Sequence, residues 1–211
     1  MRSSLASINR LIQQVRISTV DQPEQHGLGD AVRHARAFAG ADPFLCLLGD
    51  TIFSGPSPSA QLVEAYNSLG TAVIGLEEVP PEKVSRYGIV GGKRISEELL
   101  KLDTLVEKPT LQSAPSRLAI AARYILTPTI FACLDEVTPG ALGEIQLTDA
   151  LRLMLDREPI HGVILRGKRH DIGNPIDWLK TNIIFAASDA KMWEQIEPMV
   201  RSLLEKDFRQ G

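Results

Sequence analysis

The chain has little of what many catalytic and structural sites are built from. Of its 211 residues only two are cysteine, four are histidine and two are tryptophan. Cys46 and Cys133 stand alone, so no pair has the spacing that a zinc site requires. Cys46 lies in an apolar run and Cys133 in an expected helix, which fits reduced, packed thiols and a cytoplasmic setting. The N-terminus carries no long apolar run, so neither a signal peptide nor a membrane span is expected. An excess of positive charge is also missing. Lys and Arg number 23 against 26 Asp and Glu, for a net charge of −3. The densest basic stretch is Arg166-Gly-Lys-Arg169, so no nucleic-acid partner is indicated. Internal repeats and low-complexity segments are absent.

What remains is an ordinary globular composition, 44% hydrophobic and 23% charged, at a length suited to one domain or one domain with an appendage. The run Phe44-Leu-Cys-Leu-Leu-Gly-Asp-Thr-Ile-Phe53 is the most informative. Five apolar residues without alternation predict a strand buried on both faces of a parallel sheet. Gly49 lets the backbone leave it sharply, and Asp50 then sits at the carboxyl end, the edge where open α/β sheets bind ligands. A turn cap is the plainer use of such an Asp.

Before this run, Leu5, Ile8, Leu11, Ile12 and Val15 have helical spacing over residues 3–15, and Arg16 to Val20 reads as a short strand. A loop from Asp21 to Gly29 leads to a helix capped by Asp30, with Ala31, Val32, Ala35 and Phe38 inward and Gly40 as its end. A helix over 60–69 and a strand from Thr71 to Val79 make another α-then-β unit. Closely spaced strands follow, at Tyr87 to Val90, Leu99 to Lys108 and Leu118 to Leu126, suggesting a mixed or antiparallel insert beside the parallel sheet. Thr127-Pro128 opens a helix, with Thr as cap. A helix over 144–155, a strand from His161 to Leu165, a loop at Asp171 and a helical tail over about 175–208 complete the chain. The tail, with Trp178, Leu179, Ile183, Ile184 and Phe185, is expected to pack on the domain or on another subunit. The class is α/β with a mixed sheet.

Four constellations could carry chemistry. Gln22 with Gly27-Leu28-Gly29 joins an amide able to read a pyrimidine edge to glycines that admit a flat base or a phosphate. Asp50 is the second. The third is Tyr87-Gly88 with Glu107-Lys108-Pro109. The residue before proline is held extended, which would fix Lys108 at a strand end. Neighbours in a strand point oppositely, so Glu107 and Lys108 share a ligand only if the strand twists there or the ligand lies along its end. The fourth is Asp171-Ile-Gly-Asn174 after Arg166-Gly-Lys168-Arg169, which alone reads as an Asx turn with a charged approach. Singly, each has a plain structural explanation.

Their order carries more than any one of them. Gln22 with Gly27-Leu28-Gly29, Leu48-Gly-Asp50, Tyr87-Gly-Ile-Val90, Val106-Glu-Lys-Pro109, Gly143-Glu-Ile-Gln-Leu-Thr-Asp-Ala150 and His170-Asp-Ile-Gly-Asn174 follow the order seen in sugar-phosphate nucleotidyltransferases. Over roughly residues 15 to 185 the chain most resembles bacterial UTP–glucose-1-phosphate uridylyltransferases. The resemblance implies a Rossmann-like mixed sheet of the nucleotide-diphospho-sugar transferase type and the partners UTP, glucose 1-phosphate and UDP-glucose. It implies that Gln22 and Gly27 hold the base and that Asp50 and Asp171 hold Mg²⁺, a hard ion suited to carboxylates. Gly88, Glu107 and Glu144 would face the sugar and Lys108 would grip its phosphate, with Lys168 adding charge. Asp50, Lys108 and Asp171 would then be the catalytic set. The histidines are left without a role.

One family feature has no counterpart. No Gly-x-Gly-x-Arg occurs in the 211 residues, so the family's first strand and Gly-rich loop are expected to be absent from a single truncated domain over 1–211. Weak turnover and pairing with another copy, as a homo-oligomer, would follow. The alternatives are a glucose-1-phosphate thymidylyltransferase, suggested by Leu48-Gly-Asp-Thr-Ile-Phe53 and Gln22-Pro23, and a catalytically impaired sugar-nucleotide-binding relative. A glycosyltransferase ranks last, because Asp50-Thr51-Ile52 lacks the Asp-x-Asp expected there.

Overall fold

The computed structural model describes residues 2–140 and 143–205, without the side chains of residues 2–5, 7 and 8. In chain order, α1 (Arg2–Gln14), α2 (Leu28–His34) and α3 (Arg36–Ala39) precede β1 (Phe44–Leu47) and β2 (Thr51–Ser54). Then come α4 (Pro58–Leu69), β3 (Ala72–Glu78), a 3₁₀ turn (Pro81–Arg86), β4 (Gly88–Arg94), β5 (Leu99–Glu107) and β6 (Leu118–Leu126). The remainder is α5 (Thr129–Glu136), α6 (Leu147–Leu155), β7 (Ile160–Ile164), β8 (Lys168–Asp171), α7 (Pro175–Ser188) and α8 (Ala190–Glu205).

Six strands form one sheet in the order β1-β6-β3-β7-β5-β4, with β6 also touching β4, and β2 pairs with β8 in a second sheet of two strands. The period of two along β3 divides the core between the two faces of the large sheet. Ala72, Ile74 and Leu76 pack on the side of α5 and α6, while Val73 joins Leu62 of α4 on the other. Between them lies β6, buried at all nine positions. Local signals set the helix ends. For α4, Ser57 accepts from the Ala60 N–H, Pro58 stands in the first turn and Gly70 closes the helix with φ 66°, the conformation that glycine adopts without steric cost.

Several expectations are corrected. The only parallel pair among the described residues is β3 with β7; β1 runs antiparallel to β6, and the middle strands belong to the same sheet rather than to an insert. β1 is an edge strand. Its Phe44 and Cys46 pack inward while Leu45 and Leu47 are exposed. Both rows are apolar, so the sequence shows no alternation although the burial alternates. Residues 16–20 pair with no strand among the described residues, and Ile17 and Val20 face solvent. Asp30 lies inside α2, whose N-cap is Gly27, and α2 ends at Ala35, so that Phe38 on α3 turns outward. Thr127 does not cap α5; its hydroxyl donates to Glu158 Oε1 at 2.6 Å. The helix expected over 144–155 starts at Leu147. The tail is described as far as Glu205, and α7 packs on β8, Thr181 against Asp171 and Phe185 edge-on to His170, while Ile176, Trp178 and Leu179 stay exposed.

Candidate functional site

A cleft of about 340 Å³ opens where β4, β5 and β6 meet the start of α6 and the small β2–β8 sheet. Asp50, Gly88, Glu107, Lys108 and Asp171 all line it. Five of the residues singled out from the sequence thus share one space, although 121 positions separate the first from the last.

The two aspartates meet through the small sheet. β2 and β8 pair antiparallel with Thr51 opposite Asp171, and the Ile172 N–H donates to the Asp50 carbonyl at 2.8 Å. A Cβ built on Gly173 would lie 3.3 Å from Asp50 Oδ2 and 3.3 Å from Asp171 Oδ1. One oxygen of each carboxylate therefore lies close to the same point, which the bare Gly173 leaves open. The Asx turn is present as well: the Gly173 N–H donates to Asp171 Oδ1 at 2.9 Å. That oxygen keeps a second lone pair and Oδ2 keeps both, so the turn and an ion-holding role are compatible. Two hard oxygen donors open to a cleft fit Mg²⁺, which retains waters and phosphate oxygens in the rest of its shell.

On the opposite wall, Gly88 pairs with Glu107 across β4 and β5. Lys108 is not extended. Its φ is +44°, with its N–H donating to the Tyr87 carbonyl at 3.1 Å. The strand's hydrogen bonding outweighs the bias that Pro109 imposes, and this left-handed turn is the twist that lets neighbouring side chains face one cavity. Lys108 Nζ lies 3.8 Å from Glu107 Oε1. Thr148, at the second position of α6, donates to Glu107 Oε2 at 2.7 Å. A Cβ on Gly88 would come within 3.1 Å of the same carboxylate oxygen. This wall leaves room for a ligand only as far as Gly88 stays bare.

Four expected residues sit elsewhere. Gln22 Nε2 donates to the Gly27 carbonyl at 3.2 Å and to Asp30 Oδ2 at 2.8 Å, so its amide braces the loop against α2. The Gln22 hydrogen bond, opposed by burial and helped by Arg33, holds the Asp30 carboxyl below its usual range. Gly27, with φ 92°, packs against Glu144 and the Ile145 carbonyl. Neither Gln22, Gly27 nor Glu144 lines the cleft, although Leu28 next to them does. Glu144 accepts from Gln146 Nε2 at 2.7 Å, and Gln146 and Thr148 are the cleft residues of this segment. Lys168 is exposed and absent from the lining, where Arg169 appears instead. Alternation along β8 explains the exchange: residue 169 shares a face with Asp171 and residue 168 does not. That signal was available in the sequence.

Arg169 is bonded to Glu77 and lies with its guanidinium carbon 4.3 Å from the centre of the Tyr87 ring. Burial works against its charge, and Glu77 more than offsets this. With Arg86 it brings the cleft to three acids (Asp50, Glu107, Asp171) and three bases (Arg86, Lys108, Arg169). A cleft so balanced carries no net positive charge of its own.

This fold, a mixed sheet with acids and a lysine gathered at one end of its strands, is that of the nucleotide-diphospho-sugar transferases. A solved UDP-glucose pyrophosphorylase complexed with UDP-glucose superposes with a TM-score of 0.85 at 35% identity, over 89% of this chain and 72% of that one. The sequence profile of the nucleotidyl transferase family matches residues 2–187, and the chain belongs to that family. The UTP–glucose-1-phosphate uridylyltransferase of Staphylococcus haemolyticus is 40% identical over 201 residues, 92% of this chain and 70% of that protein. The enzyme of the same name from Bacillus subtilis is 38% identical over 192 residues, 90% of this chain and 66% of its own length. The chain spans between 59% and 70% of the length of such relatives.

Proposed function

We propose that this chain performs uridylyl transfer: UMP passes from UTP to glucose 1-phosphate, giving UDP-glucose and pyrophosphate. The observation that carries the reading is the convergence of Asp50 Oδ2 and Asp171 Oδ1 on one point at Gly173, in a cleft whose far wall holds Glu107 and Lys108. The names of the curated relatives favour uridine over thymidine. The same reading takes in a cytoplasmic setting and a self-associating chain, the latter supported by the apolar side chains that α7 and α8 leave exposed.

The reaction asks for little acid–base work. A phosphomonoester has its second pKa near 6 and is mostly dianionic at neutral pH. One of its oxygens attacks the α-phosphorus of UTP, the new P–O bond forms as the bond to the β-phosphate oxygen breaks, and pyrophosphate leaves with that electron pair. No proton has to move. The barrier comes from bringing anions together, so positioning and neutralisation are what the protein supplies. Mg²⁺, bound by Asp50 and Asp171, would supply charge neutralisation at the phosphates. Lys108, 60% exposed and turned inward by its left-handed backbone, is free to reach the sugar phosphate. Glu107, oriented by Thr148, accepts from sugar hydroxyls. Gln22 lies outside the cleft with its amide nitrogen donating to the Gly27 carbonyl and Asp30, so it would meet a base that extends past Leu28 through its carbonyl oxygen alone.

Titration calorimetry with UDP-glucose and Mg²⁺ tests the reading. Binding should require the metal and should be lost in Asp50→Ala. No binding to the wild-type chain, or unchanged binding in Asp50→Ala, would overturn it.

A further inference from the structure

Arg123 has no carboxylate within ion-pair distance among the described residues, although its side chain is buried and charged. Its guanidinium serves main-chain carbonyls instead. Nη1 donates to the Ala122 carbonyl at 2.7 Å and to the Leu48 carbonyl at 3.2 Å, and Nη2 donates to the Thr51 carbonyl at 2.8 Å. Leu48 and Thr51 bracket Gly49-Asp50. The same segment is tied a second time, by the Leu48 N–H donating to the Ala122 carbonyl at 3.2 Å.

The surroundings are shaped for this. Ala122 holds φ +56°, a left-handed conformation that a non-glycine residue adopts at a cost and keeps only where its neighbours enforce it. Gly75 on the adjacent strand faces Arg123, and a Cβ there would lie 3.4 Å from the Arg123 Cβ and 2.9 Å from Leu165 Cδ1. The guanidinium carbon stands 4.9 Å from the centre of the Phe53 ring, which covers one face of the cation. Desolvating an arginine with no carboxylate at ion-pair distance is costly, and besides the more distant charge of Asp50 it is well-placed hydrogen bonds that offset this. A planar fork that fixes three carbonyls gives the loop one conformation, which a flexible ammonium cannot do. Asp50 itself is exposed, and among the described residues its side chain is tied only by Thr51 Oγ1 at 3.2 Å. Its carboxylate direction therefore depends on the backbone that Arg123 holds.

We infer that Arg123 is a positioning residue for the cation site, setting the Leu48–Thr51 turn so that the Asp50 carboxylate meets that of Asp171. The inference rests on the proposed cation-binding role of these two aspartates. Arg123 does not line the cleft; its hydrogen bonds reach the main chain on either side of Asp50. Groups that orient a metal ligand typically change metal affinity by 10- to 100-fold when altered.

The test measures Mn²⁺ binding by electron paramagnetic resonance in the presence of UDP-glucose, together with the thermal transition, on the full chain. Asp50→Asn reports on the underlying reading, and Leu62→Ala, a core substitution in α4 away from the cleft, reports on general destabilisation. Arg123→Lys and Arg123→Gln should bind Mn²⁺ about tenfold more weakly or worse while still melting cooperatively. Leu62→Ala should melt at lower temperature with its Mn²⁺ affinity unchanged. Mn²⁺ affinity within twofold of wild type in both Arg123 variants overturns the inference, and so does an equal loss of affinity in Leu62→Ala. Loss of a cooperative transition in both Arg123 variants also overturns it, because Arg123 would then serve the whole fold rather than Asp50. Wild-type binding that survives Asp50→Asn removes the aspartate reading itself, and this inference with it.

Discussion

The two walls of the cleft are built by different means. The wall carrying Gly88, Glu107 and Lys108 rests on regular structure: β4 and β5 pair along their lengths and α6 packs on β5 behind them. Glu107 is set by that ladder and by one side-chain bond from Thr148. The wall carrying Asp50 and Asp171 is a two-stranded sheet of four-residue strands, and two strands alone are marginally stable in water. What joins it to the large sheet is a handful of bonds, those of Arg123 and the Leu48 N–H and the pairing of Arg169 with Glu77 of β3, with Thr181 Oγ1 donating to the Asp171 carbonyl at 3.1 Å from α7. A ladder spreads its constraint over many equivalent bonds, whereas a few side-chain bonds place it on few residues. Substitutions on the Glu107 wall, proposed to face the sugar, should therefore be graded, affecting affinity first. On the Asp50–Asp171 wall, proposed to hold the metal, they should be abrupt.

The largest expected effect is at Asp171. Asp171→Asn keeps the size and the Asx turn, because the amide oxygen can still accept from the Gly173 N–H, but it removes one of the two carboxylates. Electrostatic stabilisation by a bound metal is worth several kcal/mol, so kcat should fall at least about a hundredfold. The thermal midpoint should move little. Steady-state pyrophosphate release and a thermal melt on the same preparation give both numbers. A variant that keeps wild-type kcat would show that the two walls do not divide the work in this way.

Which parts of this site were legible beforehand follows from how each residue is held. Asp50, Gly88, Glu107 and Asp171 stand at strand ends, where Gly and Pro punctuate the chain and ligands bind, and motif order was enough to find them. Lys168 and Arg169 stand side by side in one basic string, and only the two faces of β8 put Arg169 rather than Lys168 into the cleft. The left-handed turn at Lys108 runs against the usual bias before proline, so no local rule announces it. Arg123 was hidden inside Leu118–Leu126, a run otherwise so apolar that it reads only as a core strand. Its partners are carbonyls of a segment 72 to 75 positions away, and main-chain acceptors leave no mark in a sequence. The edge position of β1 was illegible for a related reason: an apolar residue looks the same whether or not another element covers it.

A second, smaller effect separates the walls from the other direction. Thr148→Val keeps the β-branched shape and removes the hydroxyl that donates to Glu107 Oε2. A hydrogen bond to a charged group contributes about 1.5–3 kcal/mol, and partial exposure of Glu107 brings the expected loss to the lower end. The KM for glucose 1-phosphate should rise about tenfold, with kcat and the KM for UTP close to wild type. Glu107→Gln should move the same constant in the same direction. If either variant lowers kcat as much as Asp171→Asn does, the sugar-side wall takes part in the chemical step and the contrast between the walls fails.

The smallest effect concerns neither wall. His161 lies in β7, buried, with Nδ1 2.8 Å from Thr71 Oγ1. Burial lowers its pKa below the usual histidine value, and Lys101 adds to this. The unfolded chain then binds this proton at a higher pH than the folded one. The stabilising contribution is complete above the unfolded value, about 6.5, and declines as the pH falls below it towards the folded value. Burial lowers His170 as well, so the two act together. Asp30 titrates in a lower range and does not enter this window. Urea midpoints at pH 7.5 and 5.5 should show the wild-type chain losing stability at the lower pH and His161→Gln losing less, with His170 accounting for part of what remains. An equal or larger loss in His161→Gln would mean that His161 is charged in the folded chain, against the desolvation that its place in β7 imposes.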